Sequence, residues 1–198
     1  MWRIFYPIQY FRLSNADKRR IDLVPTSLLT LLIALPFILV AGPSFFAADG
    51  FLDKILTLTS SLTGFYVAAL VAAATFLHPD LDKPIKTGPV VLITKDADGT
   101  INREPLTRRE FACLIFGYLA ASTLMLSLSI AFAVGFSTYQ WAFLGQWQAI
   151  GRAVAIFIFS AWISHITTVT ALGLFYLMDR LHRDDPKITT KKADLTGS

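Results

Sequence analysis

The chain has 198 residues, of which 54% are hydrophobic and 16% are charged, and its formal net charge is +4. This excess does not indicate nucleic-acid binding, because the basic residues are interleaved with acids and residues 78–110 sum to zero. The single cysteine, Cys113, excludes an intramolecular disulfide and a multi-cysteine metal site.

Four long apolar runs contain no Asp, Glu, Lys or Arg, and they cover residues 27–46, 55–77, 111–136 and 153–178. About 20 apolar residues in a helix cross the roughly 30 Å hydrocarbon core of a bilayer, so each run predicts one membrane-spanning helix. The predicted fold class is therefore an all-α integral membrane protein with a four-helix transmembrane bundle.

The basic residues predict the orientation of this bundle. Sixteen of the 18 Lys and Arg residues lie before the first run, between the second and third, or after the fourth. The other two connections hold only Lys54 and Arg152. Because short cytoplasmic loops are enriched in Lys and Arg, both termini are expected in the cytoplasm. The chain is thus predicted to be a multi-pass protein of the inner (plasma) membrane. Its expected partners therefore include the lipid bilayer.

The predicted organisation has five parts. They are an N-terminal interfacial segment at 1–26, helices 1 and 2 at 27–77, a cytoplasmic loop at 78–110, helices 3 and 4 at 111–182, and a disordered tail at 183–198.

The first segment combines aromatic residues with Arg, a composition that favours the headgroup level of a membrane. A short helix is expected over residues 15–23, capped by Ser14 or Asn15. Pro25 suits the first turn of a separate span one, because proline is well tolerated there.

Span two carries small residues at four-residue spacing, namely Gly64, Ala68 and Ala72. Small residues on one stripe let a second helix approach closely in a membrane. Two interpretations follow: the stripe packs against other helices of this chain, or it forms the seam of a homo-oligomer.

The loop at 78–110 predicts a small cytoplasmic β-hairpin. Its first strand is expected over 89–94 and its second over 100–106, with turn residues between them. An isolated hairpin is marginally stable, so it should lean on another segment or on a protein partner. The candidate partner-docking residues are Val91, Ile93, Asp98, Gly99 and Ile101.

Span three is expected to begin with a capping box. Thr107 and Glu110 stand three residues apart directly before the apolar run, which is the spacing that this motif requires.

Span four places His165 at its middle, where an ionisable residue is costly and indicates a functional site. Ser160, Ser164 and Thr168 follow a four-residue spacing around it. Together with hydroxyls of spans two and three, these residues form a candidate polar intramembrane site, and one interpretation is that it responds to protons or ions. The alternative is a neutral histidine that packs against a neighbouring hydroxyl or carbonyl.

Catalytic and cofactor-binding signatures are missing from the sequence. His78, Asp80 and Asp82 lie just after span two, but a solvated charge cluster explains them better than a metal site. We therefore expect no enzymatic activity, no cofactor and no metal.

The expected function is non-enzymatic and depends on oligomerisation or on a membrane or cytoplasmic protein partner. A membrane-perturbing effector or an accessory subunit, controlled from the cytoplasmic side, matches this layout. The alternative is a small ion or solute channel or carrier that uses the polar stripe around His165.

Overall fold

The computed structural model of the protein describes residues 13–14, 16–40, 44–75, 91–95, 101–136 and 147–180. The described part contains four helices: α1 at Ala16–Leu39, α2 at Phe51–Thr75, α3 at Arg108–Gly135 and α4 at Gln148–Arg180. It also contains three short strands: β1 at Leu13–Ser14, β2 at Val91–Lys95 and β3 at Ile101–Pro105.

Three of the helices are long and apolar enough to cross a membrane, namely α2, α3 and the Gln148–Phe175 part of α4. Helix α1 has a shorter apolar stretch, Leu23–Leu39. Large apolar side chains cover the outward faces of all four helices, among them Leu28, Leu128 and Phe157. The chain therefore has the dimensions and the apolar surface of a helical membrane protein.

The predicted bounds of the first span were wrong. The structure has one continuous helix from Ala16 to Leu39, with Pro25 and Pro36 inside it, rather than a short helix followed by a separate span. A proline removes one backbone hydrogen bond, and the remaining helical bonds and the packing of α1 can tolerate that loss. The helix also ends before Phe45, which folds back into the core and is fully buried.

The capping box of α3 is confirmed. The Thr107 hydroxyl accepts a hydrogen bond from the Glu110 backbone N–H at 3.2 Å. The Glu110 carboxylate accepts one from the Thr107 N–H at 3.0 Å. This reciprocal pair satisfies two backbone donors at the start of the helix.

The helices pack mainly as two antiparallel pairs, α2 with α3 and α1 with α4, and α3 joins the pairs by contacting α4. Helix α3 lies at the centre of the bundle. Of the residues in its 18-residue apolar stretch 56% are buried, compared with 11% for the corresponding stretch of α2. Most of the largest fully buried aliphatic side chains come from α3 and α4, namely Leu119, Leu126, Ile130, Ile156 and Val169, and α2 adds Leu52.

Residues 44–50 form a turn directly before α2 and carry part of an aromatic cluster. The Phe51 and Leu52 N–H groups donate to the carbonyl oxygens of Ser44 and Phe45 at 3.0 and 3.1 Å. The Phe45 ring lies 5.0 Å from the Phe37 ring and 5.5 Å from the Phe51 ring. These contacts fix the end of α1 against the start of α2.

The strands lie at the opposite end of the bundle, which we call the sheet end. Strand β2 pairs antiparallel with β3, from Val91 opposite Pro105 to Lys95 opposite Ile101. Strand β1 pairs with β2 through Leu13 opposite Leu92. The sheet order is β1-β2-β3, so a segment directly before α1 covers one edge of β2.

Several predicted features lie outside the described residues. They are the N-terminal residues 1–12, the hairpin turn with Asp98 and Gly99, the cluster of His78, Asp80 and Asp82, and the tail from 181 onward. These features, and the orientation of the chain in the membrane, stay predictions.

Gly50 is essential to the turn between α1 and α2, because a Cβ atom there would lie 2.7 Å from the carbonyl oxygens of Ala47 and Ser44. We expect Gly50→Ala to lower the free energy of unfolding by about 1–3 kcal/mol, as overpacking does elsewhere. The measurement is the Tm in a mild detergent.

Gly135→Ala is the matched control, because a Cβ there would meet no atom of the structure within 4 Å. A Tm for Gly50→Ala equal to that of this control would contradict the geometry of the turn.

Candidate functional site

The predicted serine and threonine stripe of α4 lies inside the bundle and faces α1. Ser160 and Ser164 are fully buried, and Thr168 is 5% exposed. The Thr26 hydroxyl of α1 donates to the Thr168 hydroxyl at 3.2 Å. Because residues four apart share one helix face, Ser164 and Ser160 continue this contact line along α4.

Helix α1 presents a matching stripe of small residues to α4. Thr30 and Ala34 are 3% and 1% exposed, and they follow Thr26 at four-residue spacing. In an antiparallel pair, Thr30 therefore lies near the level of Ser164. Small side chains on both helices allow a close backbone approach, which is how membrane helices associate. We call this contact the α1–α4 seam.

Ser160 and Ser164 differ from the other hydroxyls of the seam. Thr30 and Thr168 donate to the carbonyl oxygens four residues before them, at 2.7 and 2.9 Å. Neither serine Oγ atom has a hydrogen-bond partner among the described residues. A buried hydroxyl without a partner carries a desolvation cost, so the seam is incompletely satisfied.

His165 does not join the serine stripe. It is partly buried on another face of α4, where its ring lies 5.8 Å from the Tyr118 ring of α3 in an edge-to-face arrangement. Successive helical residues point about 100° apart, which separates His165 from Ser164. The predicted polar site is thus divided between two faces of one helix.

The remaining interior hydroxyls tie the helices to one another. Ser127 of α3 donates to Thr59 of α2 at 2.8 Å, and Thr63 of α2 donates to Thr123 of α3 at 3.0 Å. These four hydroxyls were expected to line a polar interior. In the structure they instead form hydrogen bonds between α2 and α3.

Two aromatic side chains extend this network to α4, and the sequence analysis missed both. The Trp162 indole N–H donates to the Ser122 hydroxyl at 2.9 Å. The Tyr66 and Thr170 hydroxyls share a hydrogen bond of 2.6 Å. The sequence did contain a signal for both bonds. A buried Tyr or Trp needs a hydrogen-bond partner for its O–H or N–H, so each of these residues within an apolar helix indicates a polar partner nearby.

The small-residue stripe of α2 does not pack inside the chain. Gly64, Ala68 and Ala72 are all exposed, and a Cβ atom on Gly64 would meet nothing within 4 Å. The interpretation that the stripe binds other helices of the same chain was therefore wrong. Its use as a seam between copies stays a prediction.

The predicted docking residues are only partly described. Val91 and Ile93 lie in β2 and Ile101 lies in β3, while Asp98 and Gly99 fall outside the described residues. The described backbone places β3 at the edge of the sheet, beyond β2.

Within the described ranges, His, Cys, Asp and Glu side chains form no group of three that could hold a metal ion. No protein-family model matches the chain, and no curated protein or solved structure is significantly similar to it. The functional argument therefore depends on the geometry of the bundle.

The two kinds of buried hydroxyl should respond differently to substitution. Ser127→Ala removes a bond between α2 and α3 and should lower the free energy of unfolding by about 0.6 kcal/mol, a typical value for such bonds. Ser164→Ala removes a hydroxyl without a partner, so the free energy should stay unchanged or rise by about 1 kcal/mol. Reversible unfolding in bicelles measures both values.

Ser160→Ala serves as a second example of the unpaired kind, and it should behave like Ser164→Ala. A loss of stability in both serine variants as large as that of Ser127→Ala would show that these hydroxyls are bonded in the folded protein.

Proposed function

We propose that the protein is a non-enzymatic, multi-pass protein of the inner membrane that acts by assembling with further copies of itself. The observation that carries this proposal is the exposed small-residue stripe of α2, Gly64, Ala68 and Ala72. In a membrane, small residues on an outward face permit close contact with another helix, whereas they offer lipid little contact area.

The interior of the bundle supports this reading. The cross-helix hydroxyl bonds engage Thr59, Thr63, Thr123 and Ser127 within the chain. These groups are therefore already used in holding the fold together. The outward face of α2 is where a further helix can add contacts without breaking any bond of the monomer.

The sheet end supports control from the cytoplasmic side. Strand β1 ends at Ser14, directly before α1 begins at Ala16, and β3 ends at Pro105, shortly before α3 begins at Arg108. A partner that binds the sheet would thus act on the first turns of two helices at once. We infer that a cytoplasmic partner or signal reaches the membrane part by this route, with both termini in the cytoplasm.

Assembly by such a bundle could serve two roles of the same class. Assembled copies would perturb the membrane, as an effector does. A copy bound to another membrane protein through the same face would act as an accessory subunit.

Large side chains on the α2 stripe should prevent assembly. We expect Gly64→Leu and Ala68→Leu to raise the dissociation constant between copies at least about tenfold, a change of about 1.4 kcal/mol. The mass of the protein in nanodiscs, from native mass spectrometry or mass photometry, measures this change. The fold should persist, because both positions are exposed in the single chain.

Ala131→Leu is the control, since Ala131 is exposed on α3 rather than on the stripe. A wild-type protein that is monomeric in nanodiscs at every concentration would contradict self-assembly. Binding of such a monomer to a second membrane protein would then identify an accessory subunit.

The second candidate is a small channel or carrier that uses the polar residues of α4. It is favoured by Ser160 and Ser164, whose buried hydroxyls have no partner among the described residues. It is disfavoured by the position of His165, which lies against Tyr118 and away from that stripe.

His165→Leu separates the two candidates. We expect this variant to change the Tm and to leave proton and ion flux into liposomes within about twofold of wild type, because the histidine packs against an aromatic ring. Loss of a flux that the wild type shows, with an unchanged Tm, would favour the channel or carrier. His165→Gln, which keeps a polar side chain, is the matched control.

A further inference from the structure

Two buried serines of α4 differ from the other buried hydroxyls of the described helices. Ser160 and Ser164 are fully buried, and neither Oγ atom has a hydrogen-bond partner among the described residues. Each of the other buried serines and threonines in those ranges takes part in at least one hydrogen bond. A buried hydroxyl without a partner costs free energy, so a rearrangement that supplies one is favoured.

Helix α1 covers this part of α4. The Trp162 indole bonds to Ser122 of α3, and Ser164 points about 200° away from Trp162 around the helix. Because α4 packs mainly against α1 and α3, the buried Ser164 lies against α1. Thr168 lies on the same face and accepts a hydrogen bond from Thr26 of α1.

The present register of α1 and α4 gives neither serine a partner. Since the two helices are antiparallel, residues at equal height follow from the Thr26–Thr168 bond. The pairs at equal height are Thr26 with Thr168, Thr30 with Ser164, and Ala34 with Ser160. The Thr30 hydroxyl donates to the Thr26 carbonyl of its own helix, and Ala34 has no polar side-chain atom.

A movement of α1 by one helical turn changes these pairs. Four residues correspond to about 6 Å along the axis. Movement by this distance, away from the sheet end, brings Thr26 level with Ser164 and Thr30 level with Ser160. Each serine then lies opposite a threonine hydroxyl. Thr168 loses the bond from Thr26, but its own hydrogen stays bonded to the Ser164 carbonyl.

The surfaces in contact permit such a step. Both helices present small side chains at four-residue spacing, so the contact surface repeats after one turn. Packed elements move past each other in steps of one turn because the positions between are obstructed. Beside Thr168, a space of about 250 Å³ reaches Pro25 and Leu29, so α1 is not closely packed there.

Other contacts hold α1 in its present register. The Phe37 ring lies 5.0 Å from the Phe45 ring, and the Phe45 carbonyl accepts a hydrogen bond from the Leu52 N–H of α2 at 3.1 Å. Movement of α1 would carry Phe37 away from this anchored ring. The loss of that contact and of the Thr26–Thr168 bond opposes the gain at the two serines.

We propose that the α1–α4 seam has two registers and that α1 moves by one turn along α4 between them. Strand β1 ends at Ser14, directly before α1 begins at Ala16, so this movement changes the position of β1 relative to β2. The seam is thus a conformational device that couples the sheet to the membrane part. It does not involve the α2 stripe, so its test is independent of the proposed assembly.

The test measures the register with double electron–electron resonance, on protein in which Cys113 is replaced by alanine. Spin labels attach to Leu39→Cys on α1 and Leu174→Cys on α4, two exposed positions. These positions lie about 28 Å apart along the axis, and the movement lengthens this separation by about 6 Å. Dilution with unlabelled protein removes distances between copies.

The control pair joins α3 to α4 and uses Leu128→Cys with Leu174→Cys. Leu128 is exposed, and its axial separation from Leu174 is similar. We expect this pair to show one distance in every variant, because the proposed movement involves α1 alone.

We expect the first pair to show a second, longer distance in wild type, with a population of up to about 10%. Thr168→Val removes the bond that holds the present register and should raise the ratio of long to short distances about threefold, as loss of one typical interhelical bond does. Ser160→Ala and Ser164→Ala together should remove the longer distance.

A single distance in both wild type and Thr168→Val would overturn the proposal. If Thr168→Val does not fold, a single distance in wild type overturns it. A longer distance that persists after both serines are replaced would show that the serines do not drive the movement, and would overturn it as well.

Discussion

The fold depends on the hydrogen bonding of polar groups in an apolar interior, because neither lipid nor a hydrocarbon core supplies partners. Thr123 of α3 illustrates the solution. Its hydroxyl donates to the Leu119 carbonyl at 2.8 Å and accepts from Thr63 of α2. One side chain thus satisfies its own helix and joins a second one. Further bonds of this kind link α3 with α2 and α4, which explains why α3 occupies the centre.

Helix α1 is held in another way. Its described polar tie to α4 is the bond between Thr26 and Thr168, and the rest of the α1–α4 seam consists of small side chains and unpaired serines. At the far end, the aromatic contacts of Phe45 secure it. A groove lined by Pro25 and Leu29 opens beside Thr168, toward the sheet end of α1. In the proposed function, this end is also where β1 would pass a cytoplasmic signal to the bundle.

The proposed assembly uses a surface that the bonds of the single chain leave uncovered. The stripe of Gly64, Ala68 and Ala72 lies on the exposed face of α2, whereas Thr59 and Thr63 of the same helix bond to α3. Large apolar side chains would suffice for solubility in a bilayer, and small residues favour close contact with another helix. The proposal therefore places the contact between copies on this face.

The sequence alone determined the helical membrane class and the start of α3, because a long uncharged apolar run and a capping box are local signals. It misplaced the start of α1, since Pro25 is also compatible with a helix interior whose other bonds persist. Only the tertiary structure decided that His165 contacts Tyr118, that Thr168 bonds to Thr26 of α1, and that the small-residue stripe of α2 is exposed. Each of these contacts depends on which helices pack against each other. The spacing of residues within one helix shows which of them share a face, but it does not show which helix that face contacts.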